Sequence, residues 1–139
     1  MNGCNAQSAL FAITPTVADV AAGGALPLTT VARRITPRIQ LGSDSANVSV
    51  PGYYEVTATV TFTAAAAGDV TIAAFQNGEA IPGIVATETV TTPETEVHTV
   101  TLHGIVRVRC QEPVSISLVN TGEIAITTTN VALSVIRID

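Results

Sequence analysis

Lysine and tryptophan are absent from this chain, leucine occurs only 7 times, and charged residues make up 12% of its 139 positions. So few leucines leave no broad apolar stripe of the kind that helices need in order to pack as a bundle. The six basic residues are all arginine and are set against 11 carboxylates, for a net charge of −5. Such a surface repels phosphate, which argues against generic nucleic-acid binding and against docking to an anionic membrane. No apolar run approaches the roughly 20 residues of a spanning helix. The first 30 residues carry no basic leader, and Pro15 and Asp19 interrupt their apolar stretch, so no secretory signal is expected. The two cysteines, Cys4 and Cys110, lie far apart. They could pair, but disulfides are rare in chains without an export signal, and the expectation is a buried free thiol at Cys110 and a frayed Cys4. Neither a CxxC nor a Cys/His cluster is present, so no structural zinc site is expected.

What the chain has in abundance is branched Cβ atoms. Thr, Val and Ile together supply 51 of the 139 residues, and such side chains suit a pleated sheet better than a helix. Hydrophobic residues reach 47%, enough to build a core, and the length allows one compact domain. Alternation is clearest over residues 53–63. There Tyr54, Val56, Ala58, Val60 and Phe62 fall on one face, while Glu55, Thr57, Thr59, Thr61 and Thr63 fall on the other. Pro51-Gly52 starts that strand with a turn. Gly68-Asp69 marks a further turn, and the next alternating run ends at Asn77-Gly78, a pair that tolerates the positive φ angles of a type I′ hairpin. The return strand, near residues 80–89, is bent by Pro82-Gly83. Pro82 has no amide proton and belongs at an edge or bulge.

A polar loop around Pro93 precedes a long strand over residues 96–109. Val100, Leu102, Val106 and Val108 share one parity of that strand with Gly104. Thr99, Thr101, His103, Arg107 and Arg109 share the other. Short strands follow at 114–118, with a brief extended stretch at 124–126, and at 130–138. The first 50 residues are less regular, with extended pieces at 9–13, 25–31, 38–41 and 47–50. The whole predicts an all-β domain of eight to ten strands with turn chemistry every 8–12 residues, the spacing of a two-sheet antiparallel sandwich or jelly roll. Residues 64–67 are helix-compatible but too few to nucleate a helix alone.

From residue 8 onward the order of signals resembles the jelly-roll family of tumour necrosis factor and the globular heads of complement and collagen-like proteins. The similarity is strongest to bacterial and phage members, such as the C-terminal heads of collagen-like spore-surface glycoproteins. It is carried by Ser8-Ala9-Leu10-Phe11-Ala12, Gly24-Ala25-Leu26-Pro27-Leu28 and the Pro51-Gly52-Tyr53-Tyr54-Glu55-Val56 strand start. The hairpin from Ala74 to Gly83, with its Gln76-Asn77-Gly78, and the closing run from Asn130 to Ile138 complete it. Spore-surface members carry Gly-X-Y repeats ahead of the head. Here only residues 1–7 precede the first strand, so the resemblance points instead to a virion component, a capsid decoration protein or short head fibre of a bacteriophage. It also implies a three-fold trimer in which the outer face of one sheet packs around the axis. The closing strand supports such a contact independently, since Val131, Leu133 and Val135 are apolar on one parity and Ala132, Ile136 and Ile138 on the other. A strand covered on both faces within one subunit would satisfy the same pattern.

Catalytic and metal motifs are sparse. His98 and His103 are five residues apart in one strand and point to opposite faces, so they cannot share a metal within one chain. Three copies of His103, beside Thr99 and Thr101, could converge on a trimer axis and form a three-nitrogen site. A histidine bonded to threonine or water is the plainer reading. Carboxylate pairs such as Glu55 with Glu94 or Glu96 are candidates for glycoside hydrolysis, but sequence does not give their separation, and Glu94 and Glu96 flank a loop where solvation is expected. Asp19, Asp44 and Asp69 stand singly in turns, and no glycine pattern for nucleotide binding occurs. Arg33, Arg34 and Arg38 form the one basic cluster. It is either a solvated loop or a docking point for an acidic patch on a shell or a neighbouring subunit. Arg107 and Arg109 are expected to pair with nearby glutamates.

These observations lead to a non-enzymatic structural protein, a homotrimeric jelly roll over residues 8–139 with an attachment segment at 1–7, displayed on a bacteriophage particle. The expected trimer contact includes Thr99, Thr101, His103, Ala132 and Ile136, and the expected attachment residues are Arg33, Arg34 and Arg38. The expected partners are two further copies and the major capsid protein or another virion protein, with the loops near Pro93 and Thr121-Gly122 left free for host or glycan contact. No cofactor, nucleic acid or membrane is expected. The alternative is an adhesion or carbohydrate-binding module of a spore or cell surface, for which the chain offers few aromatic stacking platforms.

Overall fold

A computed structural model describes residues 8–35 and 38–138 of the chain. The segment 1–7, with Cys4, lies outside the described residues. Alternation over the 13 residues of Gly52–Ala64, β6, sends every second side chain inward, from Tyr54 to Ala64. A strand with an apolar row on one face and threonines on the other can bury only that row, so it needs a second layer over it. That layer is a second sheet. In chain order the strands are β1 (Ala9–Thr14), β2 (Ala18–Val20), β3 (Thr30–Arg34), β4 (Ile39–Leu41) and β5 (Ala46–Val48), then β6. After it come β7 (Gly68–Gln76), β8 (Glu79–Val90), β9 (His98–Val108), β10 (Val114–Asn120) and β11 (Ile126–Arg137). One six-stranded sheet runs β3-β1-β11-β6-β9, with β2 also paired to β11, and a five-stranded sheet runs β4-β5-β10-β7-β8. The pairings are antiparallel throughout. The described residues form no helix, and the two sheets make a jelly-roll sandwich.

Between the sheets sits a single core with Tyr54, Phe62, Leu10, Ile72, Ile116, Leu118 and Leu133 among its fully buried side chains. Tyr54 can be buried because its hydroxyl donates to the Val50 carbonyl at 2.7 Å. At one edge of the sandwich, where β8 of one sheet meets β9 of the other, Ile84 projects into the space left by Gly104. A Cβ at Gly104 would stand 2.4 Å from Ile84 Cγ1. The Asn77-Gly78 hairpin forms as its sequence predicts, with φ of 51° and 86°.

Several expectations change. Among the described residues the sandwich has eleven strands, and the addition to the expected set is β2, three residues paired in register with β11 and anchored by Val20 in the core. The extended piece at 25–31 becomes a strand only from Thr30. Pro27 has no amide proton, and before Thr30 only Ala25 makes a bridge, to Val119. The Thr14 hydroxyl takes over the pairing there: it donates to the Pro27 carbonyl at 2.7 Å and accepts from the Thr29 amide at 3.1 Å. The closing strand starts at Ile126 instead of 130, because a bulge between Thr128 and Asn130 lets the ladder with β6 continue. Cys110 is exposed. β9 ends at Val108, and a turn with Gln111 at φ 63° swings the next residues out of the inward parity.

Candidate functional site

Among the described residues, none forms a layer over the outer face of the six-stranded sheet. Register assigns its side chains in rows. Ile105 lies opposite Glu55, Glu55 opposite Ile136, and Ile136 opposite Ala9. In the next row are His103, Thr57, Ser134 and Phe11, and then Thr101, Thr59, Ala132 and Ile13. Thr99, Thr101, His103, Ala132 and Ile136 therefore share one face, as their parity predicts. The inward parity of β11 (Val131, Leu133, Val135) is fully buried while Ile136 is 39% exposed. Within one subunit the described residues therefore cover only one side of the strand.

That face divides into two zones. Around Thr57, Thr59, Thr61, Thr99 and Thr101 it is flat and threonine-rich, with Thr61 Oγ1 and Thr99 Oγ1 3.1 Å apart. Toward the ends of β9 and β11 it turns apolar, with Phe11 39%, Tyr53 45% and Ile105 58% exposed. A hollow of about 290 Å³ opens there between Phe11, Ile35, Ile136 and the arginines of β3. His103 Nε2 lies 3.4 Å from Glu55 Oε2, both side chains largely in solvent. This histidine meets a carboxylate, where threonine or water was the plainer expectation, because Glu55 sits one row away on the adjoining strand.

His98 points to the other side, as its spacing from His103 requires. Its ring stacks on Phe62 at 5.9 Å, Nε2 lies 2.7 Å from Glu96 Oε2, and Nδ1 lies 3.4 Å from Glu88 Oε2. The hydrogen bond from His98, followed by that from the Thr91 amide, lowers the Glu96 carboxyl from 4.5 to about 2. The arrangement fastens the loop at residues 91–97 to the start of β9. Glu55 does not join Glu96. It pairs with Ile105, seven residues along β9 from His98, a separation of about 23 Å at strand rise, far beyond the spacing of a hydrolytic carboxylate pair. Among the described residues no group of three His, Cys, Asp or Glu side chains is placed to hold a metal. The aspartates reach past their own turns. Asp19 accepts from the Thr127 hydroxyl, Asp69 from the Thr89 hydroxyl and Asp44 from the Leu28 amide.

Arg33 and Arg34 lie on the edge strand β3, opposite Phe11 and Leu10, and not in a loop. Arg38 comes beside Ser49, whose hydroxyl donates to its carbonyl. The expected partnership of Arg107 with glutamate is replaced by an aromatic one. Its guanidinium carbon stands 5.7 Å from the centre of the Tyr53 ring, because register places the two residues side by side. The loops near Pro93 and Thr121 share one end of the sandwich, tied back through Glu94 to the Ala64 carbonyl and through Thr121 to the Thr71 carbonyl.

The architecture is a jelly-roll fold similar to that of tumour necrosis factor and the complement globular head. No family model and no curated protein matches the sequence. Among solved structures the chain is similar to Eiger TNF from S. frugiperda, at TM-score 0.68 and 10% identity, over 96% of this chain and 92% of that one. The globular domain of zebrafish complement 1qA is similar at TM-score 0.66 and 8% identity, over 91% and 94%. The vertex protein P5 of PRD1 is similar at TM-score 0.63 and 12% identity, over 95% and 97%. At these identities the likeness is one of fold.

Proposed function

We propose that this chain is a non-enzymatic structural protein that forms a homotrimer through the outer face of its six-stranded sheet. In this reading the trimer stands on the surface of a bacteriophage particle as a capsid decoration or short head fibre. The observation that carries the proposal is the outer face itself, where Phe11, Ile105 and Ile136 are exposed together on one side of a sheet whose other side is fully packed. Apolar groups gathered at one end of a sheet favour association, and copies related by a three-fold axis can shield one another's faces in a closed ring. The fold shared with a vertex protein of PRD1 supports a place on a virion. Assembly would enclose the threonine zone with Glu55 and His103, which partly neutralise each other when His103 is protonated. Arg33, Arg34 and Arg38, at the end where residue 8 joins the segment 1–7, serve attachment to the major capsid protein or another virion protein.

Sedimentation with purified particles tests this reading. Copies that band with the shell in multiples of three support it, and a protein that never associates with particles overturns it. An adhesion or glycan-binding module would need exposed aromatic platforms. Of the exposed rings, Phe11 sits on the face assigned here to the trimer, and Tyr53 lies under the Arg107 guanidinium. Binding to a glycan array by the trimer, lost in Tyr53→Ala, would replace decoration with adhesion.

A further inference from the structure

All six arginines lie at one end of the sandwich. Arg33 and Arg34 pair with the first residues of β1, Arg107 and Arg137 with the first residues of β6, Arg38 precedes β4, and Arg109 follows β9. The opposite end carries Asp19, Asp69, Glu88, Glu94, Glu96 and Glu123, in or beside the strand ends and loops at residues 65–67, 91–97 and 121–125. A chain with net charge −5 has thus collected its whole positive charge at a single pole.

At that pole a groove of about 590 Å³ is lined by Tyr53, Arg107, Arg109, Arg137 and Glu112, together with Gly52 and Val108. A smaller hollow lined by Gln76, Asn77, Arg107, Arg109 and Glu112 adjoins it. The larger volume falls within the range of small-ligand clefts, room for a few side chains and far too little for a duplex. The cation–π contact with Tyr53 at 5.7 Å favours one placement of the Arg107 guanidinium before any partner arrives, which lowers the ordering cost of binding. Planar guanidinium forks match carboxylates in paired hydrogen bonds. The acidic far pole turns the same field against an extended polyanion.

We propose that this groove seats an acidic polypeptide segment, rich in Asp and Glu, of a partner protein. The inference deepens the attachment reading above and rests on it for the partner being the particle. The groove faces the same pole as Arg33 and Arg34, so a bound acidic segment would orient the acidic pole away from the surface that supplies it. In a trimer the three copies of the groove give three tethers, and occupancy of one raises the effective concentration at the others.

The test is fluorescence polarisation of the full chain against a labelled ten-residue Asp/Glu peptide, a Gln/Asn peptide of the same length and a single-stranded oligonucleotide of matched charge. Native mass is read on the same samples. The expected result is binding of the acidic peptide alone. That binding should weaken at least tenfold in both Arg109→Glu and Arg109→Gln, and fall steeply between 50 and 500 mM salt, over which the Debye length shortens about threefold. Absence of binding at low salt, equal binding of the oligonucleotide, or binding that survives both substitutions overturns the inference. A trimer that fails to bind removes the groove and leaves the assembly standing. A monomer that binds does the reverse.

Discussion

Gly104→Ala is expected to damage the seam between the two sheets. The position is on the inward parity of β9, and an added Cβ would stand 2.4 Å from Cγ1 and 2.5 Å from Cδ1 of Ile84 on β8. Both contacts are far inside van der Waals distance. Ile84 is 2% exposed and has no solvent side to swing toward. Overpacking of this kind costs about 1–3 kcal/mol, or a fall in Tm on the order of 5–10 °C for a domain of this size. Ile84→Ala alone removes the obstacle but opens a cavity, at about 2–4 kcal/mol. The double variant separates the two effects, since with the isoleucine shortened the new methyl group fills part of the vacated space. Its loss should be smaller than the sum of the single losses by about 1–2 kcal/mol. Urea unfolding of all four proteins at one fixed concentration measures this coupling. A Gly104→Ala protein within 0.5 kcal/mol of the parent, on the order of ordinary surface changes, or strictly additive singles, would refute the argument.

Acid should loosen the loop at residues 91–97. Glu96 has its folded pKa lowered from 4.5 to about 2, so its contribution is present above pH 4.5 and is lost as pH falls toward 2. Proteolysis of the loop across that window should accelerate in the parent and be flat in Glu96→Gln. Cys110, exposed on its turn, should react with a maleimide in the native protein at a rate close to that of the unfolded chain. Protection by more than about a hundredfold would contradict its placement. Ile136→Asp puts a charge on the uncovered face without touching the core, so it should break the assembly and leave the β circular dichroism spectrum intact. A variant that stays assembled would remove Ile136 from the contact.

Local pattern made a large part of the fold legible. Strict alternation fixed which faces of β6 and β9 turn inward, and Asn77-Gly78 fixed the hairpin, because both depend on neighbours in sequence. The shared face of Thr99, Thr101, His103, Ala132 and Ile136 followed from parity, once β9 and β11 both paired with β6. What escaped depends on distant partners. Residues 18–20 become β2 only because β11 offers an edge to them. Residues 26–29 fail to be a strand because Pro27 and the Thr14 hydroxyl redirect the hydrogen bonds. Cys110 leaves the inward parity because its strand stops two residues earlier. The Arg107–Tyr53 contact and the gathering of arginines at one pole arise from the register of strands far apart in sequence, which spacing along the chain does not encode.

Assembly through the uncovered sheet face is most directly tested by the native mass of the purified protein in solution. A single species at three times 14.2 kDa, falling to one times that value in Ile136→Asp, is the outcome expected here. A stable, soluble species at 14.2 kDa across micromolar concentrations would contradict it.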